Sequence, residues 1–333
     1  MVAGKRKLPG EFDLIARYFA PLAAKAPGAL GLKDDAATFQ PPAGMELVFT
    51  TDALTADLHF LRSDPPDLIA RKMLRQNLSD LAGKGAKPLG YLMTTALDDA
   101  VDEAWIAKFV EGLAQDQAEF DIALWGGDTT KTPGPLALTA TLIGAVPTGR
   151  ALRRDGARLG DRILVTGTIG DGIFGLAAHR GELGDLAEPA RRSLAQRYVL
   201  PQPRVALGRL LAEQGLAHAS MDISDGLAAD LGHMCAASNC GAQVVVASVP
   251  LSDAVADLVA ADPGLIASAI TGGDDYEILL AVPPDRVAAV LDAARQAGTA
   301  IAEIGAFVQE SGLTFLDRDN RPLTFEKAGF THF

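Results

Sequence analysis

The chain has 333 residues, of which 48% are hydrophobic, and a formal charge of −12. This composition excludes a disordered or fibrous protein and leaves length for two domains at about 150 residues each. The acidic balance argues against a general nucleic-acid binder, whose affinity rests on Lys and Arg neutralising phosphates. No run of about 18 apolar residues occurs, so no membrane span is expected, and Met1 to Gly10 lacks the apolar stretch of a signal peptide. Cys235 and Cys240 match neither a zinc knuckle nor a disulfide framework and read as small buried or half-buried residues of a reducing compartment, so a cytoplasmic location is expected.

In chain order, Phe12, Ile15, Phe19 and Leu22 recur at helical spacing until Pro27, Gly28 and Gly31 break the pattern. Glu46 to Thr51 is rich in strand formers and ends in Asp52. Pro65 and Pro66 open a helix with apolar positions at Leu68, Ile69, Met73, Leu74, Leu78 and Leu81, stopped by Gly83 and Gly85. Leu89 to Ala96 predicts a strand, Asp102 to Phe120 a helix, Ile122 to Trp125 a short strand running into Gly126-Gly127-Asp128, and Leu136 to Val146 a strand with Thr alternating on one side. Strand and helix alternate, which indicates α/β architecture, with some strands antiparallel because their connections are short.

Pro147 to Gly160, with three glycines among arginines, is the expected domain boundary, giving domains 1–148 and 149–333. Arg150, Arg153, Arg154, Arg158 and Arg162 read either as a solvated linker face or as a phosphate-gripping loop. Later strands are expected at Arg162 to Thr166, Gln243 to Ala247, Tyr276 to Val282 and Ala302 to Val308. Helices are expected near Pro203 to Gln214, Leu227 to Ser238 and Asp285 to Gln296.

Six packets place Asp beside Gly, Ser, Thr or another Asp: Asp34-Asp35, Thr50-Thr51-Asp52, Asn77-Leu78-Ser79-Asp80, Gly126-Gly127-Asp128-Thr129-Thr130, Asp222-Ile223-Ser224-Asp225-Gly226 and Gly272-Gly273-Asp274-Asp275. One such packet alone is most often a turn, because Asp bonds its own backbone and Gly permits positive φ. Two of these aspartates, Asp52 and Asp128, stand where predicted strands end, the usual place for ligands in open α/β sheets. Oxygen donors without His or Cys clusters suit Mg2+ rather than Zn2+. Two like charges about 4 Å apart cost on the order of 4 kcal/mol at an effective dielectric near 20, so converging carboxylates call for a cation.

Gly170-Asp171-Gly172-Ile173-Phe174-Gly175 fits G-x-G-x-x-G, a weak dinucleotide signal among 34 glycines. Its neutral reading is a strand-to-helix turn that lets backbone approach something closely, phosphate being one candidate. The Walker pattern and the G-x-S-x-G elbow are absent. The five histidines are dispersed, and only His59, shortly after Asp52, stands out as a functional candidate.

Together with Asp35-Ala36-Ala37, Asn77-Leu78-Ser79-Asp80-Leu81, Asp222-Ile223-Ser224-Asp225-Gly226-Leu227, Gly272-Gly273-Asp274-Asp275-Tyr276-Glu277 and the closing His332-Phe333, these packets resemble the thiamine-monophosphate kinase family from about residue 11 to the C-terminus. The resemblance implies the two-domain fold of the aminoimidazole-ribonucleotide synthetase superfamily, with mixed sheets and helices packed on them. The N-terminal domain would bind metal and ATP and form a homodimer; the C-terminal domain would complete the nucleotide and substrate site. It implies ATP-dependent phosphorylation of thiamine monophosphate to thiamine diphosphate, by direct in-line transfer assisted by several Mg2+ ions.

By the same resemblance Asp35, Thr50, Thr51, Asp52, Asp80, Asp128, Asp222 and Asp225 would hold magnesium. Gly127, Asp128, Arg150 and Ser224 would contact ATP, and His59, Asp274 and the position of Lys327 would face the thiamine substrate. No general base is implied, since an acceptor phosphate oxygen is already ionised and phosphoryl transfer depends on positioning and charge neutralisation. Lys33 stands where the family usually has glycine, and Gly83-Lys84-Gly85 replaces an alanine-rich turn. Selenophosphate synthetases and the hydrogenase-maturation relative need cysteines that this chain lacks at the corresponding ends, which leaves the purine-pathway synthetase as the nearest enzyme rival. A non-catalytic binding protein of the same fold is disfavoured because every matched acidic position is present.

Overall fold

The computed structural model describes residues 8–184, 186–319 and 321–323. It divides into two units, one comprising the chain up to Leu81 together with Lys87–Ala145, the other Ala82–Ala86 together with the chain from Val146 onward.

In the first unit the N-terminal helical stretch is α1 (Glu11–Leu14), continued by a π turn at Ile15–Phe19 and 3-10 turns at Ala20–Ala23 and Pro27–Leu32. Phe19 and Leu22 are buried as the spacing requires, whereas Phe12 is 83% exposed. There follow β1 (Met45–Thr55), α2 (Pro66–Gly83), β2 (Lys87–Leu97), α3 (Glu103–Phe120), β3 (Ala123–Lys131) and β4 (Ala137–Pro147). The sheet order is β1-β4-β2-β3, with β2 and β3 parallel and β2 and β4 antiparallel.

Alternation divides this sheet into two faces. Tyr91, Met93, Thr95 and Leu97 of β2 and Leu138, Ala140 and Leu142 of β4 are buried, while Leu92 and Thr94 are exposed. α3 lies on the buried face, because Gln117 donates to the Tyr91 hydroxyl at 3.1 Å. Asp102 caps its first turn, accepting from the Trp105 N–H at 2.9 Å. α2 carries the expected apolar stripe, yet Lys72, Arg75, Gln76, Asn77 and Ser79 are buried as well, so the helix is enclosed on nearly every side. The buried guanidinium of Arg75 is answered by Asp116 of α3, at 2.9 and 3.0 Å.

The second unit contains β5 (Arg162–Thr166), α4 (Asp171–His179), α5 (Glu188–Val199), α6 (Val205–Gln214), β6 (Ala219–Ile223), α7 (Leu227–Ser238) and β7 (Gly241–Val245). It continues with α8 (Asp253–Ala261), α9 (Leu265–Thr271), β8 (Glu277–Val282), α10 (Val287–Gln296), β9 (Ile301–Val308), β10 (Gly312–Leu316) and β11 (Pro322–Leu323). The mixed sheet runs β11-β10-β7-β9-β5-β8-β6. β8 lies antiparallel to both β5 and β6, so the ends of β5 and β6 and the start of β8 share one edge of the sheet. Every residue of β8 is buried, and α7 packs Leu227, Leu231 and Met234 into the same core.

Two expectations change. β1 and β3 run past Asp52 and Asp128, so these aspartates lie within strands rather than at their ends. The pairing with β4 and β2 carries the polar residues along as edge-strand positions. β6, which carries Asp222, was not foreseen; five residues, Ala-Ser-Met-Asp-Ile, are too few for a periodic signal.

Candidate active site

In the first unit Thr50 and Asp52 lie on the β1 face that meets α2. The Thr50 hydroxyl donates to Asp80 Oδ2 at 2.5 Å. Burial, and then the negative charge of Asp80, push the Asp52 carboxyl up to about 6. Next to this pair, α2 keeps Asn77 Oδ1 and Ser79 Oγ buried without a hydrogen-bond partner. Just beyond β1, His59 Nδ1 accepts from the Thr55 N–H at 3.0 Å, which leaves the proton of the neutral ring on Nε2. The His59 carbonyl is held by Lys72 Nζ at 3.0 Å.

Thr51 and Asp128 belong to the opposite, exposed face. Thr51 Oγ1 donates to the Ala140 carbonyl at 3.1 Å and accepts from Thr141 Oγ1 at 2.9 Å. Asp128 pairs in register with exposed Thr94 and accepts the N–H of Thr129 at 2.9 Å. Gly127 before it has φ 155°, and a Cβ there would sit 1.8 Å from the Met93 carbonyl oxygen, so only glycine fits. Asp35 is exposed in a turn where the Asp34 carboxylate accepts the Asp35 N–H at 2.8 Å. The structure thus groups Thr50, Asp52 and Asp80 on one face of the sheet and sets Thr51 and Asp128 on the other.

In the second unit the two aspartate loops meet at the shared sheet edge. Asp222 is the fourth residue of β6, and Ser224 and Asp225 follow it. Asp230 of α7 accepts the N–H groups of Ser224 and Asp225, both at 3.0 Å. Burial, and then the charge of Asp225, push the Asp230 carboxyl up to about 7. The Asp274 N–H donates to the Ser224 carbonyl at 2.9 Å, and the Tyr276 N–H to that of Ile223 at 2.8 Å. Asp274 and Tyr276 both take left-handed backbone, φ 71° and 53°, and the Tyr276 hydroxyl donates to Asp274 Oδ1 at 2.9 Å. Such conformations are costly for residues with side chains and cluster at functional loops.

The glycine turn before α4 proves to be held by protein. Asp275 accepts the N–H groups of Gly170 and Gly172, each at 2.8 Å, where a phosphate was one candidate. A Cβ on Gly172 would lie 2.4 Å from the Gly273 oxygen, so the close approach is to the Asp274 loop itself. Below it, the buried Glu277 carboxylate accepts from Thr166 Oγ1 at 2.6 Å, Arg197 Nη2 at 2.8 Å and Arg204 Nε at 2.7 Å. Asp230, Arg197 and Arg204 are not among the expected site residues, and Glu277 stands there only as a motif position; the signal for Asp230 and Glu277 is a carboxylate within an otherwise apolar segment. Gly83 and Gly85 also have a reason: Cβ atoms there would meet the Asp222 nitrogen at 2.8 Å and the Ala212 Cβ at 2.4 Å.

Among the arginines, Arg153 pairs with Asp155 and Arg162 with Glu303, both exposed, as on a solvated face. Arg150 is exposed beside Gly215. Lys327, His332 and Phe333 lie outside the described residues. Among the described residues, no group of three or more His, Cys, Asp or Glu side chains is arranged to hold a metal ion. Magnesium does not require one: it is commonly held by one or two carboxylates plus water and substrate phosphates. The all-oxygen set of Thr50, Asp52 and Asp80, with two carboxylates close enough to raise a pKa, fits that chemistry.

Residues 33–146 match the N-terminal domain, and residues 158–318 the C-terminal domain, of the AIR synthase related proteins. The thiamine-monophosphate kinase of Caulobacter vibrioides is 43% identical over 97% of this chain and 91% of its own. That of Escherichia coli K12 is 40% identical over 97% of this chain and 98% of its own. The chain belongs to the thiamine-monophosphate kinase family. The crystal structure of the Stenotrophomonas maltophilia thiamine-monophosphate kinase superposes with a TM-score of 0.83 at 38% identity, covering 94% of this chain and 98% of the other. AaThiL complexed with AMPPCP and TMP gives a TM-score of 0.77 at 30% identity, covering 97% of each chain. The hydrogenase maturation protein HypE of Escherichia coli, at 22% identity and a TM-score of 0.79 over 96% of this chain and 98% of its own, shares the fold. As a thiamine-monophosphate kinase family member, the chain has the expected α/β fold of two such domains, with no described helix long and apolar enough to cross a membrane.

Proposed function

We propose that this chain transfers the γ-phosphoryl group of ATP to thiamine monophosphate, giving thiamine diphosphate and ADP. The observation that carries this reading is identity of 43% to a thiamine-monophosphate kinase over 97% of a chain that carries all six aspartate packets. AaThiL, a relative with the same fold, was solved complexed with AMPPCP and TMP, which supports the same two substrates here.

In this reading Asp52, Asp80 and Thr50 hold magnesium, and Asp35, Thr51, Asp128, Asp222 and Asp225 serve further ions of the several expected. Bound magnesium would neutralise the charge crowded onto donor and acceptor phosphates. The chain's own residues position the reactants. Gly127, Asp128, Arg150 and Ser224 contact ATP. His59, with its proton on Nε2, and Asp274, oriented by the Tyr276 hydroxyl, face thiamine monophosphate, as does the position of Lys327. Transfer is direct and in line, with no phosphoenzyme and no general base, because the acceptor oxygen is already ionised. Residues 1–148 serve metal and ATP binding and dimer formation, and 149–333 supply the remaining nucleotide and substrate contacts.

The reading includes a homodimer formed through the open face of the first sheet, where Phe49 is 61% and Leu92 40% exposed. It includes a cytoplasmic location, in keeping with the free thiols of Cys235 and Cys240. Incubation with thiamine monophosphate and Mg-ATP, followed by chromatography, is expected to yield thiamine diphosphate. Turnover of formylglycinamidine ribonucleotide with none of thiamine monophosphate would overturn the assignment.

A further inference from the structure

α7 ends in a two-bond lock. Asn239 takes a left-handed φ of 54°, the Cys240 N–H reaches the Cys235 carbonyl at 3.1 Å, and the Asn239 N–H reaches that of Ala236 at 3.4 Å. This geometry folds the residue two beyond the helix back over the residue three before its end, where the two side chains usually make an apolar contact. Here both positions are cysteines. Both are free, Cys235 buried and Cys240 half-buried. Both line a cavity of about 460 Å³ together with Gly232, Ala236 and Leu313, and a Cβ added at Gly232 would meet only Leu313 Cδ1, at 3.6 Å. Small and apolar neighbours therefore leave space directly beside the two sulfurs.

We propose that Cys235 and Cys240 form a dithiol site for a small thiophilic electrophile that bridges two sulfurs, with trivalent organoarsenicals as the ligand class. An arsenical R–As=O reacts with both thiols: two As–S bonds form, two S–H bonds break, and the oxygen leaves with both protons as water. Arsenic and sulfur keep their oxidation states, so no oxidant or reductant is needed. Because the helix-end lock folds Cys240 back over Cys235, the second As–S bond closes within one molecule and benefits from effective concentration. Burial pushes the Cys235 thiol up to about 12 and raises that of Cys240, which slows one-sulfur alkylation by reagents that need a thiolate.

The test treats the reduced, full-length protein with one equivalent of phenylarsine oxide under native conditions. After unfolding in guanidinium, where the untreated protein titrates two thiols with an aromatic disulfide, the treated protein is expected to titrate none, with one phenylarsenic group added per chain by mass. A dithiol is expected to reverse the loss, and a monothiol at equal thiol concentration to leave it in place. Cys235→Ser and Cys240→Ser are each expected to release the arsenical to the monothiol. Two titratable thiols after one equivalent, or retention by either serine variant, would overturn the proposal. If a variant does not fold, the thiol count of the unaltered protein decides alone.

Discussion

Thr50 donates its hydroxyl hydrogen to Asp80 across 2.5 Å, although 30 positions separate them in the chain. The bond joins β1 to the end of α2 and leaves the Asp80 carboxylate next to that of Asp52, where its negative charge raises the cost of ionising Asp52.

Asp52→Asn, Asp80→Asn and Asp128→Asn are each expected to lower the rate of thiamine diphosphate formation by about 10²-fold or more, as loss of a charge-stabilising group does. Circular dichroism should remain unchanged. Near-normal rates for all three at saturating Mg2+ would refute the ligand assignment.

Stability without divalent cations should depend on pH in a definite sense. Folded Asp52 and Asp230 keep their protons up to about 6 and about 7, against 3.8 for the ordinary carboxyl. Their contribution favours the folded state below about pH 4 and is lost as pH rises through 6 to 7. In chelator, Asp52→Asn is therefore expected to melt with the unaltered protein near pH 4 and above it at pH 8. Added Mg2+ should raise the melting temperature of the unaltered protein more at pH 8 than at pH 5. A melting difference that is constant across this range would contradict the account.

Glu277→Ala would strip the buried partner from Arg197 and Arg204. Breaking a buried ion pair by removing one side costs about 3–5 kcal/mol. Urea unfolding should show a lower midpoint of that order. A loss below about 1 kcal/mol would mean that solvent reaches both guanidinium groups, since exposed pairs contribute no more than that.

The open face of the first sheet offers a test of assembly. Light scattering is expected to give the mass of a dimer, and Phe49→Glu combined with Leu92→Lys the mass of a monomer. A monomeric mass for the unaltered chain would refute the dimer.

Much was legible before any coordinates. Proline at the start, glycine at the end and an apolar stripe between them placed α2, and the helix expected at Asp102 to Phe120 is α3. The ordered aspartate packets carried the family. Periodicity failed where elements were short or polar: β6 spans five residues, and β1 and β3 continue through Thr and Asp because neighbouring strands pair with them. It also misplaced Phe12, whose spacing fits the buried stripe although its side chain is exposed.

By itself the sequence determined which chemistry was available: oxygen donors in a fixed order, glycines where backbone must pass closely, and no His and Cys cluster of the kind that suits zinc. Spacing along a chain cannot say which carboxylate faces which group, and only tertiary structure decided that. It set Asp52 against Asp80, gave the glycine turn to Asp275, and brought Asp230 under Ser224 and Asp225. The reason is physical: desolvation and charge repulsion act over a few ångströms of space, between residues that lie next to each other in the sequence or a hundred positions apart.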